Sequence, residues 1–513
     1  MDTTWMPEWF LGLFRWSFSL PEGVPWLTLL LWFPLFGAIA TLVFRVGQAR
    51  TIAAVFAGIT MVLSFLVYLI PRFGEGSMAD LTESYVWLDV LNVKISYILV
   101  LDELSILMVA LTGLLVFLVT IFADKNKPSS FFALILAMEV GLMGVYLAQD
   151  FFMFFIFWEV TLIPMYFMIA NFGGPRRHYA SMKFLIYTHI ASMVMLIGIF
   201  ALVFQAGAGG TIDFSFAAVA AASFTPAFQT LVFGLLFFGF AVKMPVVPFH
   251  TWLPDAHVEA PTEGSVLLAA VMLKMGSYGI IRICLELEAG AQAWQTVMIV
   301  VGLIAIVYGA YACIAQKDLK KMIAYSSISH MGMVMLSIAV LTKAGIAFAV
   351  FQMFAHGLIS AALFMVAGIV GHNAGTREIP LLGGLAKRMP KYAGFVMVAF
   401  LASLGLPGLI GFAAEFGIIY SFYVYLESTG MIWAILFVLL GLMLTAGYYM
   451  WAMQRTLFGR ETTKIDVEHV HDVNRTETAV LTVICLLIVL FGIIPGPIVD
   501  IAHGAAEVVS WIL

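Results

Sequence analysis

Charge is what this chain has least of. Only 11% of its 513 residues are Asp, Glu, Lys or Arg and 63% are hydrophobic, where soluble globular proteins carry roughly 25% and 45–50%. So little charge cannot coat a water-facing surface, which excludes a soluble globular protein of this length. Long polar stretches are missing as well: from Trp26 onward apolar runs recur with short punctuation, leaving no segment for a separate soluble domain. Clustered positive charge is absent and the net charge is −5, so no nucleic-acid partner is expected. Cysteine is scarce, and Cys284, Cys313 and Cys485 stand singly inside apolar runs. Without CxxC or Cys/His spacing, no metal or iron–sulfur site is expected in this chain. A glycine-rich dinucleotide fingerprint is lacking too, so redox cofactors are expected elsewhere. The N-terminal MDTTWMPEWFLGLFRWSFSLPEG has neither the basic start nor the small-residue cleavage site of a signal peptide, so the first helix is expected to stay.

What is present is a repeating membrane pattern. A bilayer core about 30 Å thick asks for about 20 apolar residues per helix, and the runs predict an all-α integral membrane protein of about fourteen transmembrane helices. They fall near 26–44, 52–70, 104–122, 131–149, 151–171, 179–205, 228–252, 262–287, 293–314, 321–341, 345–372, 393–424, 431–455 and 478–499. One early interruption, 71–101, contains alternating residues in YVWLDVLNVKISYILVL and predicts a small extramembrane hairpin. A later polar stretch, 456–477, carries His469 and His471 and reads as a solvated loop. Eighteen of the 25 basic residues fall in loops after odd-numbered helices and five on the other side, so those loops face the cytoplasm and both termini lie outside.

The two remaining basic residues, Lys243 and Lys274, sit within the seventh and eighth helices. A charge at mid-bilayer costs at least about 2.5–3.5 kcal/mol, faces a polar interior and marks an ion or proton route. Glu159 in FFMFFIFWEVTLIPMYFMI and Glu415 in LGLPGLIGFAAEFGIIY join the lysines; Glu139, central in the fourth helix, is a further candidate. Fixed ion pairs holding helices together are the bland alternative, yet pairing does not account for the helix breakers beside these charges. Pro245, Pro248 and Pro254 follow Lys243, while Pro407, Gly408 and Gly411 precede Glu415, so the seventh and twelfth helices are expected to be discontinuous. Five helices separate the breaks, the footprint of two inverted five-helix repeats, helices 4–8 (131–287) and 9–13 (293–455). These follow an N-terminal part, 1–130, and precede a C-terminal part, 478–513, within one membrane domain. His330 and His356 lie on polar stripes, with Ser326 in the tenth helix and with Gln352 and Ser360 in the eleventh, and histidine can shift a proton near neutral pH. His250, Asp255, His257, Glu259 and Glu263 read as a solvated loop at the cytoplasmic end of the seventh and eighth helices. A buried lysine keeps its proton while a carboxylate is near and releases it when the carboxylate leaves, so movement of Glu159 relative to Lys243 is expected to send a proton toward Lys274.

The segments FWEVTLIPMYFMIA, KMPVVPFHTWLPDAHVEAPTEGSVLLAAVMLKMGSYG, KDLKKMIAYSSISHMG and AHGLISAALFMVAG resemble the antiporter-like membrane subunits of proton-pumping NADH:quinone oxidoreductase (respiratory complex I). Relatives of that family occur in multisubunit cation/proton antiporters and membrane-bound hydrogenases, and the likeness covers nearly the whole chain. The resemblance implies a proton axis of Glu159, Lys243 and Lys274, and the polar stripes and the second helix break extend it through His330 and His356 to Glu415. Glu415 stands where L-type and antiporter subunits place a lysine, and the chain ends soon after its fourteenth helix, so within the family it looks like the M-type (chain 4) branch. The resemblance further implies NADH, FMN, iron–sulfur clusters and quinone in partner subunits, contacts with L-type and N-type subunits, and a bacterial inner membrane or its mitochondrial counterpart. An Na⁺/H⁺ antiporter subunit is the alternative, against which two buried lysines would repel the cation.

Overall fold

The computed structural model describes residues 23–44, 46–73, 81–461 and 470–512. His469 and the N-terminal segment before Gly23 lie outside the described residues. Within them thirteen helices are long and apolar enough to cross a bilayer, so the chain is a multi-pass, nearly all-helical membrane protein. The one expected span not among them, the twelfth at 393–424, is two helices, Pro390–Ser403 and Ile410–Thr429. Spans 262–286, 319–339 and 343–373 are almost wholly covered by protein, whereas 26–43, 49–69 and 475–493 are largely exposed. Apolar side chains such as Phe36, Ile190, Met443 and Leu486 therefore point outward, as lipid requires.

By packing, the described chain forms two compact units, one of residues up to 120 with 124–164 and 199–224, the other of 121–123, 165–198 and 225 onward. The first holds helices α1 (Trp26–Val43), α2 (Ala49–Phe73), α3 (Glu103–Phe122) and α4 (Ser129–Leu147), and the start of α5 (Phe151–Phe172). Its polar interruption folds as a hairpin, β1 (Thr82–Val90) against β2 (Val93–Val100), closed by Leu91 and Asn92 at φ 56° and 62°. Two consecutive positive φ values give the tight turn whose twist suits a two-residue hairpin loop. A short strand, β3 (Ile212–Asp213), pairs with β2 in parallel, and Lys94 Nζ meets Asp213 Oδ2 at 3.0 Å.

Asp150 fastens this sheet to the helices. Its carboxylate accepts the N–H of Ser96 on β2 at 3.0 Å and those of Phe152 and Met153 in the first turn of α5 at 2.9 and 3.2 Å. Burial lifts its carboxyl to about 6, against the downward pull of those N–H groups.

The second unit holds the rest of α5, most of α6 (Arg177–Ala206), and α8 (Pro226–Lys243), which follows the short α7 (Phe216–Ala220). Then come α9 (Trp252–Glu259), α10 (Thr262–Leu267), α11 (Leu273–Arg282), α12 (Glu288–Ile314), α13 (Leu319–Ala339) and α14 (Lys343–Asn373). After the single turn α15 (Leu385–Arg388) follow α16 (Pro390–Ser403), α17 (Ile410–Thr429), α18 (Ile435–Thr456), α19 (Arg475–Ile493) and α20 (Gly496–Ala506). Side-chain caps set several starts: Thr225 before Pro226, Asp318 accepting from Lys321 N, Thr342 from Gly345 N, and a capping box between Asn474 and Glu477.

The expected solvated loop around 250–263 is corrected by this arrangement. His250, His257, Glu259 and Glu263 are all buried and Asp255 is half-buried, because α9 packs against α13 and reaches α14. The His257 ring stacks on Phe364 with centroids 4.4 Å apart. Glu259 accepts the N–H of Arg176 at 2.8 Å, and Asp255 pairs with Lys183 at 2.6 Å.

Candidate functional site

Lys243, Lys274 and Glu415 each lie beside a departure from regular helix geometry. Helix α8 stops at Lys243, and Pro245 and Pro248 supply no N–H to extend it. The Val242 carbonyl left over by the break accepts the Trp252 indole N–H at 3.0 Å. Lys243 is thereby buried at a helix C-terminus, whose partial negative charge favours a cation, with its Nζ 5.7 Å from the Phe184 ring centre. Gly276 of α11 lies directly against this stop: a Cβ there would fall 2.5 Å from the Phe240 oxygen and 2.7 Å from the Met244 nitrogen. Only glycine permits that approach.

Between α10 and α11 the backbone makes a π turn, Leu268–Met272, immediately before Lys274. Such turns expose carbonyls that an α-helix would cover. Lys274, fully buried, donates to the Ala269 oxygen at 2.5 Å and contacts His356 Nδ1 at 2.7 Å. The His356 and His330 rings are tilted by 51° with centroids 5.5 Å apart, and His330 Nδ1 lies 3.2 Å from Glu415 Oε1. Glu415 has room because Gly405, at φ +79°, has no side chain: a Cβ there would lie 2.7 Å from Glu415 Oε2. With Gly408 at φ +90°, Gly405 makes the break between α16 and α17 the cradle of this carboxylate.

Four of the six expected residues, Lys274, His356, His330 and Glu415, thus form one buried line within the second unit. Lys243 is buried in the same unit, and Glu159 is half-buried on α5 in the first. Glu139 is fully buried on α4, and neither carboxylate oxygen has a hydrogen-bond partner among the described residues.

Two features escaped the sequence: a hydroxyl branch, of which the sequence marks only Ser326, on the stripe of His330, and a cavity. Ser403, Tyr449 and Ser326 branch off His330: Nε2 lies 3.1 Å from Ser403 Oγ, Ser403 donates to the Tyr449 hydroxyl at 2.9 Å, and Tyr449 donates to Ser326 at 2.9 Å. On the side of the basic loops lies a cavity of about 740 Å³ whose wall includes Glu259, Thr262, Asp318, Lys320 and Arg377. Lys320, counted with the loop lysines, is in fact buried there and donates to the Ala260 oxygen at 2.5 Å.

A polytopic helical bundle with a buried line of lysine, histidine and glutamate side chains marks the class as a membrane protein with a polar, ionisable interior. Comparison with known proteins makes the class particular. The family model described as "NADH:quinone oxidoreductase/Mrp antiporter, TM" matches residues 148–446, and the chain belongs to that family. It is 40% identical to F(420)H(2) dehydrogenase subunit M of Methanosarcina mazei, covering 95% of this chain and 98% of that one. It is 34% identical to NADH-quinone oxidoreductase subunit M of Rickettsia typhi, over 94% and 98% of the two. Among solved structures, a chain of respiratory complex I from Thermus thermophilus superposes with TM-score 0.82 at 26% identity, over 94% of this chain and all of that one. A chain of the Mrp complex from Dietzia gives TM-score 0.80 at 22% identity, over 94% and 97%, and shares the fold. All six expected residues and Ser403 fall inside the matched segment, while Tyr449 lies just beyond it.

Proposed function

We propose that this chain is a proton-translocating M-type subunit in the membrane arm of a quinone-reducing complex, multi-pass in the cytoplasmic or inner membrane. The observation that carries this is the buried line Lys274, His356, His330, Glu415, with contacts of 2.7 and 3.2 Å at its ends. The Lys274 ammonium donates to His356 Nδ1, so passing its proton leaves a neutral lysine beside an imidazolium, with no isolated charge created. Both nitrogens of His330 are occupied, one by Ser403 and one by Glu415. The 5.5 Å ring-to-ring step therefore has no direct hydrogen bond from His330, and it is the natural gate of the route. The cavity around Lys320 suits proton intake from the cytoplasm, and Glu415 suits release toward the other side.

Glu159 and Lys243 are proposed as the driving pair, which sets whether Lys274 is loaded. The redox work is assigned to partners: hydrophilic subunits carrying FMN and iron–sulfur clusters, with quinone as acceptor, beside L-type and N-type membrane neighbours. The relatives' names differ in electron donor, F420H2 or NADH, so the donor is assigned to those partners and not to this chain. The test is redox-driven proton uptake and quinone reduction in membranes holding the native assembly, with assembly checked by native gel. Glu159→Ala and Lys243→Ala should each abolish most of both, and the double variant should be scarcely worse, because residues acting as a unit are non-additive. Near-normal turnover in Glu159→Ala would leave the pair structural.

A further inference from the structure

The branch from His330 has a direction, and hydrogen counting reveals it. Ser326 has one hydroxyl proton and donates it to the Ile323 carbonyl at 2.8 Å. A carbonyl can only accept, so Ser326 receives from Tyr449, and Tyr449, its single proton spent, receives from Ser403. Ser403 has then spent its own proton on Tyr449 and can only accept from His330 Nε2 at 3.1 Å. The Ile323 carbonyl, three side chains away, thus dictates that Nε2 of His330 carries hydrogen.

The consequence falls on the other nitrogen. With Nε2 protonated, a neutral His330 presents a bare lone pair at Nδ1 to Glu415 Oε1, 3.2 Å away. Two lone pairs cannot face each other at that distance, so one proton lies between them: on Glu415, donating to Nδ1, or on Nδ1 of an imidazolium beside a carboxylate. A second proton would set N–H against O–H. We propose that Ser403, Tyr449 and Ser326 are positioning residues that lock His330 as its Nε2–H tautomer, so that His330 and Glu415 together store one proton, neither none nor two. This rests on the relay proposed above, and supplies its last station with a defined capacity.

Tyr449→Phe keeps the ring and removes the hydroxyl, freeing the Ser403 proton to turn toward His330. Ser326→Ala removes no hydrogen-bond partner of His330 or Glu415, yet it removes the anchor and lets Tyr449 and Ser403 reverse. In the assembled complex with isotope-labelled histidine, vibrational or nitrogen magnetic resonance should find His330, assigned by its loss in His330→Gln, as the Nε2–H form or imidazolium in the wild type. Both hydroxyl variants should show a large Nδ1–H fraction and several-fold lower proton uptake per electron. A wild-type tautomer signature in Ser326→Ala and Tyr449→Phe would overturn the lock. Full pumping by His330→Gln would instead overturn the relay, so the two failures are distinguishable.

Discussion

Glu415→Gln separates the proton-carrying role of this carboxylate from its structural one. A glutamine amide has the shape of a protonated glutamate, and its N–H₂ group can donate to His330 Nδ1 where the carboxyl does, 3.2 Å away. The Gly405 cradle at φ +79° admits either side chain. A hydrogen bond to a charged group contributes about 1.5–3 kcal/mol and a neutral one about 0.5–1.5, so the exchange should cost about 1 kcal/mol, too little to prevent assembly. What is lost is titration, because the amide cannot release its proton. Redox-driven proton uptake in inverted vesicles should therefore fall roughly tenfold or more, equivalent to at least about 1.4 kcal/mol on the barrier, while native gels show a normal complex. Glu415→Asp withdraws the carboxylate by about 1.5 Å, opens the His330 contact beyond bonding range, and should be intermediate. Full pumping by the Gln variant would remove Glu415 from the route.

Three further outcomes are expected. The Asp150 carboxyl, at about 6, lies above its unfolded value of about 3.9; the docked hairpin therefore binds an extra proton between those values and gains stability as pH falls through 6, the cost being fully present above it. Amide exchange at Ser96, corrected for intrinsic rate, should be slower near about pH 5 than near about pH 7.5, and the opposite order contradicts the assignment. Gly276→Ala forces a Cβ to 2.5 Å from the Phe240 oxygen, an overpacking worth about 1–3 kcal/mol; assembled complex should drop, and unchanged yield would mean the α8–α11 contact is looser. Reporter fusions after Arg388 and at the C-terminus should lie on opposite sides of the membrane; signals from one side only would refute the loop-charge topology.

The charged members of the line were legible because an ionisable residue in an apolar run stands out, and the helix stops at Lys243 and Ser403 were legible in Pro245, Pro248, Pro407 and Gly408. Ser326 was legible as the neighbour of His330 on its polar stripe, but Ser403 and Tyr449 were not, since hydroxyl residues are unremarked in membrane helices and the three meet from α16, α18 and α13, up to 123 residues apart. The π turn before Lys274 has no residue signature: LAAVM is ordinary helix sequence. Residues 250–263 misled because a polar stretch reads as wet, yet Phe364, over a hundred positions later, covers His257. Periodicity reports which residues share a face; it is silent about which distant helix closes over it.

The central claim is that Lys274 and His356 hand on one proton as a unit. The most direct test measures proton uptake per electron in the native assembly for Lys274→Met, His356→Phe and the double variant, with assembly verified for each. The 2.7 Å contact predicts that either single change removes most uptake and that the double change adds almost nothing. Near-wild-type uptake in either single variant, or losses that simply add, would contradict it.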